Sequence, residues 1–155
     1  MCLFAAGKLP FGVGFVPTID NVYTLQFGDK LYEQGEHEQS VTWYLKAAEQ
    51  GHKDAVYSVG WAYYSGEGAP QDHAEAAEWF EKGILLDHPK AMRVMAKMMY
   101  TGSGGKKDVP RAAELWQRSS DIGDPEAAAT FGKLLMEGVP GIAQDQARAC
   151  KHLRR

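Results

Sequence analysis

Apolar and polar residues alternate along this chain with the period of an α-helix, and the whole pattern returns every 36 residues. Three consecutive units read AVYSVGWAYYSGEG from residue 55, AMRVMAKMMYTGSG from residue 91 and AAATFGKLLMEGVP from residue 127. In the first of them Val56, Val59 and Tyr63 share one helical face. An earlier unit matches at both ends but has a shorter middle. A repeat of this length is typical of helix-turn-helix units that bury their apolar faces by stacking.

The pattern predicts two helices in each unit, about eight in all, and no β-strand. We expect the helices near residues 21–34, 37–50, 53–65, 72–86, 89–101, 108–122, 125–137 and 143–153. A glycine in the left-handed conformation is expected where the first helix of a unit ends, and an aspartate is expected to cap the second helix. The glycines are Gly66, Gly102 and Gly138, and the aspartates are Asp72, Asp108 and Asp145.

Small residues recur at one position in the first helices, and bulky residues recur in the second helices. The small residues are Gly28, Gly60, Ala96 and Gly132, and the bulky pairs are Trp43–Tyr44, Trp79–Phe80 and Leu115–Trp116. A glycine inside a helix costs about 1 kcal/mol relative to alanine, so its recurrence indicates close helix packing. We therefore predict an all-α chain with an apolar arm or cap over residues 1–20. A single repeat domain follows over 21–155, with units near 21–54, 55–90, 91–126 and 127–155.

These spacings resemble a known family, the Sel-one-like repeat (SLR), which is a relative of the tetratricopeptide repeat. The second unit matches that pattern at Ala55, Gly60, Tyr63, Gly66, Gly68, Asp72, Ala76, Trp79, Phe80 and Lys82. The resemblance covers about residues 22–155. It implies a right-handed α-solenoid whose concave face is lined by the first helices. It also implies an adaptor or scaffold role, a bacterial source, and neither catalytic residues nor a cofactor.

A second face of the first helices carries the predicted partner-binding residues. Tyr57, Trp61 and Tyr64 fall at i, i+4 and i+7, rotated roughly 115° from the first apolar stripe. By analogy with tetratricopeptide repeats, this face looks into the concave groove, where aromatic and arginine side chains are typical of binding hot spots. The predicted groove residues are Asp29, Tyr32, Tyr57, Trp61, Tyr64, Arg93, Lys97, Tyr100 and Lys133. The alternative is that the aromatic residues pack between repeats and that the charges are ordinary solvated surface.

Composition and charge argue against other classes of function. Seventeen Lys and Arg against 20 Asp and Glu give a formal charge of −3, without the basic excess that is usual in a nucleic-acid module. No apolar run approaches the ~18 residues that a membrane span needs. The five histidines include no i, i+4 pair, so no metal site is predicted. His52 and His88 are interpreted as polar residues of the turns between units, and Cys150 as a small residue on a buried helix face.

The sequence therefore favours a non-enzymatic module that binds a protein or peptide through the groove. The alternatives are a bacterial immunity protein that blocks a secreted toxin and, less strongly, an RNA-binding repeat. A homodimer through an uncapped C-terminal repeat remains one alternative for the oligomeric state. The cytoplasm is favoured, because the first 20 residues lack the features of a signal peptide. A periplasmic location would require that an export signal had been removed.

Overall fold

A computed structural model of the chain describes residues 21–153, which form eight helices in four consecutive pairs. They are α1 (Asn21–Glu33), α2 (His37–Glu49), α3 (Lys53–Ser65), α4 (His73–Leu85), α5 (Pro89–Thr101), α6 (Val109–Ile122), α7 (Pro125–Glu137) and α8 (Gln146–Leu153). Over these residues there is no β-strand, only an isolated bridge between Val139 and Ile142. The all-α solenoid is confirmed. The N-terminal arm predicted over residues 1–20 lies outside the described residues.

The helix ends form for the reasons that the sequence indicated. The Asp72 carboxylate accepts hydrogen bonds from the amides of Ala74 and Glu75, and Asp108 accepts one from the amide of Arg111. These bonds satisfy amides that the first turn of a helix leaves free. Gly66 ends α3 in the left-handed region at φ 82° and ψ 15°. Gly102 ends α5 in the same way, at φ 88° and ψ 12°.

The last repeat departs from this arrangement. Gly138 follows α7 at φ 64° and ψ 102°, which is not the left-handed helical conformation that we expected. The chain then turns through the Val139–Ile142 bridge, in which the amide of each residue donates to the carbonyl of the other. This turn delays α8, which begins at Gln146 rather than near residue 143. Asp145 still caps it, through the amide of Arg148.

Close packing within each pair depends on the small residues of the first helices. A Cβ atom placed on Gly60 would lie 2.8 Å from the Phe80 ring, which is wholly buried. A Cβ atom placed on Gly28 would lie 2.7 Å from the Tyr44 ring, and one placed on Gly132 would lie 2.7 Å from the Leu153 side chain. These distances are shorter than van der Waals contact, so the helices pack closely because the side chain is missing. The packing role predicted for these glycines is confirmed.

The buried apolar residues form two clusters, one over α2 and α3 and the other from α4 to α8, and the half-buried Tyr63 packs against both. Each helix packs on the next one in the chain, and α3 also contacts α5, the first helix of the following repeat. One expectation is wrong, because Cys150 is exposed on α8 rather than buried. His88 lies in the turn between α4 and α5, as expected, and is only 4% exposed. Among residues 21–153, none of the helices combines the length and apolar character needed to cross a membrane.

Candidate partner-binding groove

The groove is built around three aromatic side chains that succeed one another along α3. Tyr57 stacks on Trp61 with ring centroids 6.3 Å apart, and Trp61 lies 5.5 Å from Tyr64. All three are half-buried. Their spacing places them one helical turn apart, so each ring contacts the next while one side remains open to solvent. Aromatic pairs at such distances are favourable beyond their buried area.

Two adjoining clefts open on this face of the first helices, and Trp61 borders both of them. The first cleft has a volume of about 230 Å³ and is lined by Tyr32, Ser40, Val41, Tyr44, Tyr57, Ser58, Trp61, Ala62 and Glu67. The second cleft has a volume of about 480 Å³ and is lined by Trp61, Tyr64, Arg93, Val94, Lys97, Tyr100, Thr101, Trp116, Glu126, Thr130 and Leu134. We call the two clefts together the groove.

Seven of the nine predicted residues line the groove. Tyr32, Tyr57 and Trp61 lie in the first cleft, and the second adds Tyr64, Arg93, Lys97 and Tyr100. The other two residues line neither cleft. Asp29 is exposed and accepts a hydrogen bond, at 2.9 Å, from the hydroxyl of Tyr44, which lines the first cleft. Lys133 is exposed on α7 and pairs with Glu137 on its own helix.

Arg93 lines the second cleft, but its guanidinium is also part of the packing between repeats. Its Nε atom lies 2.9 Å from the carboxylate of Asp124, and Nη1 pairs with Glu126. Asp124 is buried, caps α7 through the amides of Glu126 and Ala127, and also accepts a bond from Ser119. The guanidinium is therefore neutralised by two carboxylates. Lys97, in contrast, is exposed and has no ion pair among the described residues.

Hydroxyl groups of the first cleft point to carboxylates. The Tyr32 hydroxyl donates to Glu67, and this bond raises the pKa of Tyr32. Burial raises the pKa of Tyr44 strongly, and the hydrogen bond to Asp29 adds to the shift. Burial also raises the pKa of Tyr57. All three phenols therefore remain protonated at neutral pH, and two of them donate to acidic side chains.

Sequence reasoning missed Glu67, Thr130 and Leu134. Glu67 belongs to the loop between α3 and α4, and the Gly66-Glu67-Gly68 pattern predicts a tight turn without telling which surface the turn covers. The structure places Gly68 against the backbone of His37, where a Cβ atom would collide, and this contact fixes the loop beside the first cleft. Thr130 and Leu134 lie on the side of α7 that faces the preceding repeat, one position away from the face that we had expected to line the groove.

The described residues do not assemble a metal site. Over residues 21–153, no group of three or more His, Cys, Asp or Glu side chains is arranged to hold a metal ion. The side chains of the groove are aromatic, aliphatic and hydroxylic with a few charges, which suits recognition of a polypeptide surface.

A model of the Sel1 repeat matches this chain four times, over residues 23–52, 53–88, 89–124 and 125–155. A search of the curated proteins found no match. A Sel1 repeat protein from Oxalobacter formigenes is 29% identical, with a TM-score of 0.77 over 86% of this chain and 56% of that one. A protective antigen of uropathogenic Escherichia coli, which displays an SLR fold, is 30% identical, with a TM-score of 0.78 over 86% of this chain and 29% of that one.

Cysteine-rich protein B of Helicobacter pylori is a more distant structural neighbour, at 20% identity. Its TM-score is 0.58 over 77% of this chain and 99% of that one, and the likeness shows the fold alone. The chain spans about half of the Oxalobacter protein and less than a third of the Escherichia coli antigen. All three neighbours are bacterial proteins, which is consistent with a bacterial origin of this chain.

Proposed function

The chain belongs to the Sel1 repeat family, and on that premise we propose that it binds a segment of a partner protein in the groove formed by its first helices. Proteins built from Sel1 repeats are generally protein-interaction modules and typically non-catalytic scaffolds. The proposal adds the location, which is the pair of clefts that meet at Trp61, and the absence of catalysis by this chain.

One observation carries the proposal: the aromatic row of Tyr57, Trp61 and Tyr64 is half-buried, and it borders open clefts on both sides. A solenoid needs apolar residues between its repeats, but such residues are normally buried completely, as Phe80 and Phe131 are. Large aromatic side chains that keep an open face next to a cleft are the residues that dominate binding energy in protein interfaces.

The test uses a phage-displayed library of random peptides selected on the immobilised full chain. We expect a peptide that binds the wild-type protein and loses at least about 30-fold in affinity with Trp61→Ala, because removing a hot-spot aromatic residue costs 2 kcal/mol or more. Isothermal titration of the synthetic peptide measures both affinities. Unfolding by urea checks that the variant is folded.

Trp79→Ala is the matched control, because this half-buried indole belongs to the second helix α4 and lies under Lys82 rather than in the groove. We expect it to change stability but to leave peptide affinity unchanged. Equal affinity for wild type and folded Trp61→Ala would contradict the groove as the binding site. A single-stranded RNA oligonucleotide serves as a second probe, and saturable binding of it that is lost with Lys97→Gln would favour the nucleic-acid alternative instead.

A further inference from the structure

The first cleft differs from the second in the charge of its lining. Its walls are the rings of Tyr32, Tyr44, Tyr57 and Trp61, which come from α1, α2 and α3. Among the described side chains that line it, Glu67 alone is charged. The faces of aromatic rings attract cations, and the carboxylate of Glu67 gives the lining of this cleft a negative charge.

Among residues 21–153, the carboxylate of Glu67 forms no ion pair with a cationic side chain. The carboxylate accepts a hydrogen bond from the Tyr32 hydroxyl, and the backbone amide of Glu67 donates one to the Ser65 hydroxyl. Asp29, at the rim, likewise bonds the hydroxyl of Tyr44. Over residues 21–153, no ion pair joins Glu67 or Asp29 to a lysine, arginine or histidine.

The second cleft has the opposite character. There Arg93 is balanced by Asp124 and Glu126, and the exposed ammonium group of Lys97 adds a positive charge without a described acidic partner. A cationic group of a ligand is therefore repelled at Lys97 and attracted at Glu67. The groove changes sign at Trp61, which borders both clefts.

The size of the first cleft suits a single long side chain. Its volume of about 230 Å³ equals that of about eight water molecules in the liquid. A long side chain fits this space. Among the natural side chains, a guanidinium group stacks on aromatic faces and binds a carboxylate with two parallel hydrogen bonds, which an ammonium group cannot do.

We propose that the first cleft binds an arginine side chain of the partner segment, stacked against Trp61 and Tyr57 and paired with Glu67. This inference rests on the proposed function, since it names the chemistry that the groove recognises. The partner is therefore a protein segment that exposes an arginine, and the second cleft accommodates the residues next to it.

The experiment takes the peptides selected on the full chain and compares the wild type with Glu67→Gln. Glutamine keeps an acceptor for the Tyr32 hydroxyl, so the fold is retained while the charge is removed. We expect the selected peptides to share an arginine, and we expect Glu67→Gln to weaken the best peptide about tenfold, as the loss of a charge-assisted pair requires. Glu81→Gln, which removes the same charge from an exposed position on α4, is the control and should leave affinity unchanged.

A second comparison replaces the arginine of the peptide by citrulline, its uncharged isostere. Citrulline should weaken binding to the wild-type protein about tenfold and should not weaken binding to Glu67→Gln any further, because the pair is already broken. Additive losses would overturn the assignment of Glu67. So would selected peptides that lack arginine, or peptides whose affinity is indifferent to Glu67→Gln.

The outcomes separate this inference from the function on which it rests. If peptides bind in a way that depends on Trp61 but contain no arginine, the arginine site is wrong and the groove stands. If Trp61→Ala leaves the affinity of every selected peptide unchanged, or if selection yields no binding peptide, both proposals are overturned.

Discussion

The junction between the second and third repeats and the junction between the third and fourth place different chemistry at the same register positions. At the earlier junction Tyr57 stacks on the imidazole of His88, with ring centroids 5.0 Å apart and planes inclined by 18°. At the later junction the residues 36 positions further on are Arg93 and Asp124, which form an ion pair. One junction is aromatic and neutral, and the other is ionic.

Both junctions perform the same structural task, which is to cap the first helix of the incoming repeat. Nδ1 of His88 accepts a hydrogen bond from the backbone amide of Ala91, and Nε2 lies 3.0 Å from the carboxylate of Asp54. Burial lowers the pKa of His88, and the hydrogen bond to Asp54 only partly opposes this effect. The neutral imidazole therefore forms hydrogen bonds with α3, through Asp54, and with α5, through Ala91. Asp124 combines the same cap with a bond to Arg93 of the preceding repeat.

The two junctions therefore share a geometric requirement rather than a residue type. At these two junctions a buried acceptor bonds the free amides of the first helix, and its second bonding site meets the preceding repeat. His52, at the same register before α3, makes no side-chain cap bond. Imidazole with an aromatic neighbour and carboxylate with a guanidinium are two ways to meet that requirement. We expect the two junctions to differ in how the free energy of unfolding responds to removal of the cap side chain, to pH and to loss of an exposed charge.

The largest expected effect is that of Asp124→Ala at the ionic junction. The substitution removes two cap bonds and leaves the half-buried guanidinium of Arg93 without its buried partner, so we expect the free energy of unfolding to fall by about 3 kcal/mol. Urea denaturation measures the change. Asp72→Ala is the control, since Asp72 also accepts two amides but is exposed and forms no described ion pair. It should cost about 1 kcal/mol. Equal losses for the two variants would show that the junction adds nothing to the cap.

The second prediction concerns pH and the neutral junction. The pKa of His88 is lowered in the folded protein, so its contribution to stability is complete above the unfolded value of about 6.5 and is lost as the pH falls through the folded value. A protonated Nδ1 cannot accept the amide of Ala91. The decline is at most about 1.4 kcal/mol per pH unit, the limit for one proton.

The measurement is urea denaturation of the wild type and His88→Asn between about pH 7.5 and about pH 5. Asparagine keeps a cap acceptor but does not titrate. The charged and titratable groups around His88, which are Asp54, Lys53, Lys90 and His52 beside Asp54, are shared by both proteins, so the difference between the two curves isolates His88. Parallel curves would refute the titration of this junction.

The helices, their caps and the packing glycines were predictable because each follows from local physics. An aspartate before an apolar periodic segment caps the helix that it precedes, and Asp72 and Asp108 do so. Gly60 fits Phe80 because both positions lie within one helix pair, where the turn fixes the relative placement. The left-handed conformation predicted for Gly138 was wrong. The loop that follows Gly138 has one residue more than the corresponding loops of the two preceding repeats, and this changes the geometry of the turn.

The junctions were less predictable, because they depend on how one repeat is rotated onto the next. Arg93 occupies the register of Tyr57, and the sequence therefore indicated a groove cation. Nothing in the local pattern tells that the cap of α7 lies 2.9 Å from its Nε atom. His88 is the polar turn residue that we expected, but its burial and its stacking on Tyr57 did not follow from the local pattern. Glu67 lies in the groove through a loop contact that spans about thirty residues of sequence.

The smallest expected effect is that of Glu126→Gln, which separates the two carboxylates that Arg93 contacts. The side chain of Glu126 is 70% exposed, whereas that of Asp124 is 7% exposed. A carboxylate in water gains little from an ion pair, so the substitution should cost at most about 0.5 kcal/mol in urea denaturation, and raised salt should reduce even that difference. A loss as large as that of Asp124→Ala would mean that the guanidinium depends on both carboxylates together. The ionic junction would then be a three-residue network rather than a buried pair with an exposed neighbour.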